Sequence, residues 1–337
     1  MIDDAPIDAF LLLSFGGPEG RGDVIPFLEN VTRGRNVPRD RLEKVAQHYY
    51  QFDGISPINN QCRALIKALE KNFDGRGIDL PIYWGNRNWH PMIEDTMAKM
   101  TADGVGHAVC FVTSAFSSYS GCRQYREDIQ RAQDSVGENA PLVTKIGQFY
   151  DYEGFIGPIA DSAQKSVDEL GELVSIPKLR ILFSAHSIPA EMGESSRYVE
   201  QLRIAARLVV DRLSVPVSWE LVFQSRSGPP SQPWLEPDIA KRIAQLPDED
   251  VEGVIVVPVG FVSDHLEVIY DLDCVIAERA RALGLEFHRV PTVGTALPFV
   301  DLITDLVNEK LDESFVGPRH LSEPLDFEPC STHCCGR

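Results

Sequence analysis

Two stretches of this chain put titratable side chains where a fold could use them. In FSAHSIP, His186 follows a short apolar run, has serines on both sides, and is followed closely by Pro189. That context suits a turn at a strand end more than a helix interior. An imidazole titrates near ~6.5, so His186 can take up and release protons under physiological conditions. The same ring could equally serve only to cap its turn. In GFVSDHLEVIYDLDCVIAERA, Ser263 or Asp264 is placed to cap a helix, and Asp264 with Glu267 fits a capping box. Glu267, Asp271 and Glu278 also fall along one helical stripe, with Leu266, Ile269, Leu272, Val275 and Ile276 in other directions to pack inward. A row of carboxylates running from a strand end can pass cations or protons, and it can also be a solvated helix face.

A third group of chemical residues lies at the C-terminus. Seven cysteines are present; Cys330, Cys334 and Cys335 crowd the segment PCSTHCCGR, and Cys62, Cys110, Cys122 and Cys274 are scattered. An odd count in a cytoplasmic-looking chain argues against a disulfide framework. The 337 residues carry a net charge of -18. So acidic a surface repels phosphate backbones, which sets nucleic acid aside as a partner. The start MIDDAPIDAF lacks a basic leader, and no apolar run reaches the roughly 18 to 20 residues of a membrane span. A cytoplasmic protein without a transmembrane segment is expected.

The elements that must position these residues are legible as short apolar runs alternating with amphipathic segments. Phe10–Leu13, Ile82–Trp84, Ala108–Val112, Arg180–Phe183, Leu221–Phe223 and Val254–Val257 read as buried parallel strands. Helical patterns fill 40–51, 60–72, 91–102, 122–133, 155–170, 196–212 and 266–283. This alternation predicts an α/β fold with doubly wound sheets. The chain also echoes itself in order: LLLSFGGP with ILFSAHSIP, YWGNRN with VFQSRS, and CFVTSAFSS with VVPVGFVSD. Ordered echoes predict two related lobes whose polar strand ends face one cleft. The expected division is a first lobe over 1–150, joined by a C-terminal helix at about 290–312, a second lobe over 151–289, and a tail over 313–337.

LLLSFGGPE, HYYQFDGISPIN, GNRNWHP, FSAHSIP, FQSRSGPPSQPWLEPDI and VPVGFVSDHLEVIYDLD, in this order from residue 8 to about 310, resemble the ferrochelatase family. The resemblance is to bacterial members acting on coproporphyrin III. It implies two Rossmann-like, chelatase-type lobes, each a parallel sheet flanked by helices. It also implies Fe²⁺ and coproporphyrin III as substrates, with protoporphyrin IX as the alternative porphyrin. His186 and Glu267 are then the catalytic residues and the contacts for substrate iron. Insertion displaces two pyrrole N–H protons, so a base must stand beside the ring. Imidazole plus carboxylate also gives iron fewer ligands than a resident metal site would.

By the same resemblance Arg33, Tyr49, Ser56, Tyr125 and Trp234 contact the porphyrin, and Asp264 and Asp271 line a proton or metal path. Phe15 stands where some relatives have an iron-ligating tyrosine, and Val275 where some continue the acidic path. The tail resembles that of family members with a [2Fe–2S] cluster, which takes four thiolates. Cys122, Cys330, Cys334 and Cys335 are the implied ligands, with zinc and His333, or free thiols, as other readings of the tail. A monomer that hands its product to the next heme-pathway enzyme is expected. A cobalt or nickel chelatase and a non-catalytic tetrapyrrole carrier are the competing functions.

Overall fold

The computed structural model describes residues 5–229, 231–322 and 335. In chain order the elements are β1 (Ala9–Ser14), α1 (Val24–Val31), α2 (Arg39–Tyr50), α3 (Ile58–Arg76), β2 (Ile82–Asn86), α4 (Ile93–Ala102), β3 (His107–Val112), α5 (Gln124–Val136) and β4 (Leu142–Lys145). There follow α6 (Glu153–Gly171), β5 (Leu179–His186), α7 (Ala190–Glu194), α8 (Tyr198–Val210), β6 (Ser218–Gln224), α9 (Ile239–Ile243) and β7 (Gly253–Val257). The chain then forms α10 (Leu266–Val268), α11 (Ala277–Ala282), β8 (Glu286–Arg289) and α12 (Leu297–Leu311). Two π-helical stretches interrupt this pattern, Tyr119–Arg123 ahead of α5 and Ile269–Ile276 between α10 and α11.

Two parallel four-stranded sheets result, with orders β2-β1-β3-β4 and β6-β5-β7-β8. The six apolar runs all lie inside observed strands. The inner strands β1, β3 and β7 are buried along their whole length. Coverage on both faces is what makes a parallel strand read as an unbroken apolar run. The remaining strands, β4 and β8, lie at sheet edges, have four residues each and carry charged side chains such as Lys145, Glu286 and Arg289. Half-exposed edges tolerate such residues, so neither strand had an apolar signature.

The chain divides into two compact units, each holding one sheet. One gathers the residues up to Thr113, with Gln124–Gly147 and Ile303–Gly317. The other gathers Ser114–Arg123, Gln148–Leu302 and the described residues from Pro318 onward. The internal echo is visible in the hydrogen bonding as well as in the strand order. Asn86 N–H donates to the Pro91 carbonyl at 2.7 Å after β2, and Phe223 N–H to the Pro237 carbonyl at 2.9 Å near the end of β6. In both sheets the third strand in chain order is followed by a π-wound stretch.

The segment Ser114–Arg123 falls within the stretch expected to form the first lobe, yet it packs with the second sheet's unit. Its polar groups explain this. The buried Gln201 amide accepts from Ser117 N–H at 2.6 Å and donates to the Ser117 hydroxyl at 3.0 Å. Phe116 packs at about 6 Å, ring to ring, against Tyr150, Phe155 and Tyr198.

In the second unit the loop after β7 crosses the end of β5 at Gly260, whose N–H donates to the Ser184 carbonyl at 3.1 Å. A Cβ on Gly260 would stand 2.6 Å from the Ala185 Cβ and 2.7 Å from its Cα. No side chain fits there without displacing backbone. Gly260→Ala is therefore expected to lower stability by about 1–3 kcal/mol, read as a lower denaturant midpoint. An unchanged midpoint would show that the crossing relaxes freely.

Candidate active site

In the second sheet, β6 and β7 lie on opposite sides of β5. The connection from β5 to β6 and that from β7 to β8 therefore leave in opposite directions, which opens a crevice past the carboxyl ends of β5 and β7. His186 is the last residue of β5. Glu267 lies ten residues past the end of β7, in the short helix α10. The geometry brings the two together: His186 Nε2 is 3.5 Å from a Glu267 carboxylate oxygen, with side chains 34% and 41% exposed. Both thus remain open to a ligand.

The histidine is held from its other side. Its Nδ1 donates to the Ser187 carbonyl, because a carbonyl can only accept. In the neutral ring that leaves the Nε2 lone pair directed at the Glu267 side. The backbone is braced as well: the Tyr198 hydroxyl donates to the His186 carbonyl at 3.0 Å, and Ser187 N–H to the Gln224 carbonyl at 2.8 Å. Burial works against a charged imidazole. The Glu267 charge and hydrogen bond, the Ser187 carbonyl and Asp271 more than offset it, so the His186 pKa is raised.

The helix carrying Glu267 departs from the regular α-helix expected over 266–283. Beyond Leu266, its buried apolar residues are Val268, Leu272, Ile276 and Ala280, which all join the core cluster of the second sheet and are spaced by four. A regular α-helix turns about 100° per residue, so each four-residue step would drift by about 40°. The wider π winding over Ile269–Ile276 cancels that drift and keeps all four against the sheet. It also changes the phase of the acidic stripe. Glu278 and Val275 are exposed, Val275 at 40%, although Val275 was expected to pack inward.

Asp271 is drawn in. Ser225, at φ +60°, donates its hydroxyl to the Asp271 carboxylate. A serine held in the left-handed region is uncommon and occurs where surrounding structure fixes it. Burial, with the Glu267 charge adding to it, pushes the Asp271 pKa up to about 6, against the lowering effects of Ser225 and His186.

The expected cap is replaced. His265, not Ser263 or Asp264, is the N-cap, and its Nδ1 accepts from Val268 N–H at 3.4 Å. Asp264 instead pairs with Arg289 of β8 at 2.9 Å, and the same guanidinium grips Asp273 at 2.7 Å. Arg289 thereby ties together both flanks of the segment bearing Glu267 and Asp271. Asp264, expected on the metal path, has its charge compensated by this arginine. Arg289 and Ser225 went unnoticed in the sequence because an edge strand and a loop gave them no periodic context.

Trp234 is half-buried on a loop that pairs with the turn after His186: Leu235 N–H donates to the Ile188 carbonyl at 2.9 Å and Ala190 N–H to the Pro233 carbonyl at 3.0 Å. The other porphyrin candidates belong to the first unit. Tyr49 and Phe15 share one apolar cluster, both packed against Phe27 at about 6 Å, with Tyr50 and Trp89 at its margin. Arg33 is exposed and donates to Asn30 at 2.8 Å. Ser56 is 4% exposed, and its N–H donates to the Pro18 carbonyl at 2.8 Å. Tyr125, also 4% exposed, sits in the core with Arg87 4.6 Å from its ring centre, and Arg87 forms a buried pair with Asp128. Among the described residues, no group of three or more His, Cys, Asp or Glu is gathered as a metal cage.

The ferrochelatase family model matches residues 7–311. This chain belongs to the ferrochelatase family. It is 50% identical to a ferrochelatase of Rhodopirellula baltica, over 98% of this chain and 93% of that protein. It is 49% identical to the coproporphyrin III ferrochelatase of Nocardia farcinica, over 98% and 96%. Among solved structures, SirB from Bacillus subtilis with Fe3+ superposes with a TM-score of 0.56 at 12% identity, covering 91% of this chain and 97% of that one. CbiX, described as the terminal enzyme for siroheme biosynthesis in denitrifying bacteria, gives 0.52 at 13%, covering 90% and 100%. The fold is accordingly that of the chelatases, and the family assignment makes the chain an iron-inserting enzyme of porphyrin metabolism.

Two titrations follow from this geometry. In Glu267→Gln the raising charge is gone and burial remains, so the His186 pKa should fall, as followed by NMR of the ring. A raised histidine pKa gives stability that is full below the unfolded value and lost as pH rises through the folded one. The variant's deficit should therefore be largest in mildly acidic solution, where the imidazolium faces an ionised carboxylate, and vanish in alkali. Asp271 has the opposite sense. A carboxyl raised from about 3.9 to about 6 costs stability as pH rises through that window. Asp271→Asn should then be more stable than wild type above pH 6, by up to roughly 3 kcal/mol, and equal to it below pH 4.

Proposed function

We propose that this enzyme inserts Fe²⁺ into coproporphyrin III to give Fe-coproporphyrin III. The observation that carries the reading is the 3.5 Å approach of His186 Nε2 to Glu267 beside the switch point of the second sheet. Further relatives 43–46% identical, from Mycolicibacterium smegmatis and Streptomyces coelicolor, bear the name coproporphyrin III ferrochelatase. That favours coproporphyrin III over protoporphyrin IX.

Insertion exchanges two pyrrole N–H protons for one Fe²⁺, so the site must receive two protons and release a cation. His186, with Nδ1 committed to the Ser187 carbonyl and Nε2 facing Glu267, takes the first proton. Glu267 stabilises the imidazolium, and Asp271, poised near pH 6, takes proton equivalents onward along the π-wound helix. One imidazole and one carboxylate hold Fe²⁺ loosely enough to give it up. Asp264, paired with Arg289, supports this path by holding the loop. Trp234 walls the pigment on the His186 side. Arg33, Tyr49, Ser56 and Tyr125 are proposed propionate contacts, the first by charge-assisted pairing. The aromatic cluster around Phe15 and Tyr49 offers a flat apolar surface for the macrocycle. Phenylalanine at position 15 cannot ligate product iron.

The tail reading is tested by two of its four cysteines; Cys330 and Cys334 lie outside the described residues. Cys122 and Cys335 are both buried, in the same unit, and the Arg123 guanidinium donates to the Cys335 carbonyl at 2.8 Å. The two thiol-bearing segments are thus joined, as a shared [2Fe–2S] cluster on Cys122, Cys330, Cys334 and Cys335 requires. Such a cluster would fix the tail onto the second unit, where Ser114–Arg123 packs, rather than the first. Insertion transfers no electrons, so the group serves structure or sensing. No helix among the described residues is long and apolar enough to cross a membrane. We place the enzyme in the cytoplasm as a monomer that passes its product to the next heme-pathway enzyme.

The test is anaerobic incubation with Fe²⁺, Co²⁺ or Ni²⁺ and each porphyrin, following the visible absorption. Iron insertion into coproporphyrin III should be fastest. His186→Ala should lose about 10²–10⁴-fold in rate while still binding the porphyrin. Faster insertion of Co²⁺ or Ni²⁺, or no turnover by the wild type, would overturn the proposal in favour of a related chelatase or a carrier.

A further inference from the structure

The described part of the tail touches the second unit at two places that the insertion chemistry does not use. The first is Asp151, 1% exposed, in the turn before α6. A carboxylate only accepts, so His320 Nδ1–H donates to it at 2.8 Å and the Ser322 hydroxyl donates to its other oxygen. His320 Nε2 lies 2.9 Å from the Tyr152 hydroxyl, and the two rings lie 4.3 Å apart. Leu321 N–H donates to the Asp151 carbonyl at 2.9 Å. A buried carboxylate whose donors all come from one segment is built to receive that segment.

The second place is Arg123, next to Cys122 in the π turn Tyr119–Arg123. Its guanidinium lies over the Tyr119 ring at 5.9 Å and donates to the backbone carbonyl of Cys335. The turn is packed tightly: a Cβ on Gly121 would stand 2.8 Å from the Ser114 hydroxyl and 3.0 Å from the Phe116 carbonyl. Arg123 therefore projects from a rigid support.

We propose that Asp151 and Arg123 are the latches that seat the tail and set Cys335 beside Cys122 for the iron–sulfur centre; this rests on the [2Fe–2S] reading given above. Twelve residues lie between Ser322 and Cys335 in the sequence, and Cys330 and Cys334 are among them. A free segment of that length reaches up to ~40 Å, so four thiolates would meet rarely by chance. Fixing both ends converts their meeting into a local search, and a preorganised thiol set holds its metal more tightly. The two latches are positioning residues, since neither is a ligand.

The test uses the full chain, purified without oxygen, as wild type, Cys335→Ala, Arg123→Ala, Arg123→Lys and His320→Ala. Iron and acid-labile sulfide per chain, visible absorption and the rate of iron loss to a chelator are measured, with hydrogen exchange at 318–322. Arg123→Ala and His320→Ala should each lose iron about 10–100-fold faster than wild type, the range for losing a group that orients ligands. Arg123→Lys, which keeps one donor for the carbonyl, should recover part of that loss. His320→Ala should also speed exchange at 318–322. His320 is half exposed, so its variant tests the latch even if an Arg123 variant fails to fold. If wild type holds the centre and both alanine variants hold it equally well, this inference falls and the cluster reading stands. If wild type contains no sulfide, the cluster reading falls and takes the latch role with it.

Discussion

Much of this structure depends on what happens at the carboxyl end of one buried strand. β5 is paired on both edges and buried from Ile181 to Ala185, and over that stretch it carries only apolar or small side chains. Its last residue, His186, is where that cover ends and a polar ring becomes affordable. Because β6 and β7 lie on opposite sides, the chain segments leaving these strands diverge and leave space past the strand ends. The loop after β7 crosses that space only because residue 260 has no side chain to strike Ala185. From that crossing the chain enters α10 with Glu267 facing the imidazole. The acid–base pair is thus a consequence of strand order and one close backbone approach.

The electrostatics of the site come from how the next helix is wound. A regular α-helix would have carried its apolar row gradually away from the sheet. The π stretch holds that row in place and turns Asp271 inward toward Ser225, where burial raises its pKa to about 6. The result is a graded pair of groups: an imidazole whose charged form is favoured by Glu267, and a carboxyl poised to exchange protons near neutrality. Arg289 binds Asp264 and Asp273, the carboxylates on either side, so their charge is compensated while Glu267 and Asp271 remain available. Keeping Asp271 in place costs stability at neutral pH, a cost that functional sites commonly carry.

The two sheets share one strand order, and each third strand is followed by a π-wound stretch. Both π-wound stretches belong to the unit of the second sheet: Tyr119–Arg123 presents Cys122 and Arg123, and Ile269–Ile276 presents Asp271. On the readings proposed above, one architectural device would serve the proton and metal path at one point and the seating of the tail at another. Similarity to the chelatases SirB and CbiX at 12–13% identity shows how far sequences can diverge while this arrangement of strands persists.

The sequence alone determined the α/β class, the six apolar strands, the ordered echo between halves, and the placement of His186 past a strand end. These are local properties: burial on both faces forces apolar runs, and turns need particular residues. The π winding was not among them: a regular helix was expected over 266–283, and packing against the sheet is what selects the row Val268, Leu272, Ile276 and Ala280. Only the tertiary structure decided the edge strands β4 and β8, the pairing of Asp264 with Arg289, the cap at His265, and the packing of Ser114–Arg123 with the second unit. Each of those rests on partners distant in the chain, such as Gln201 for Ser117 and Arg289 for Asp264. No local pattern encodes which distant donor meets which acceptor; that is fixed only once the sheets have formed and buried polar groups must find partners.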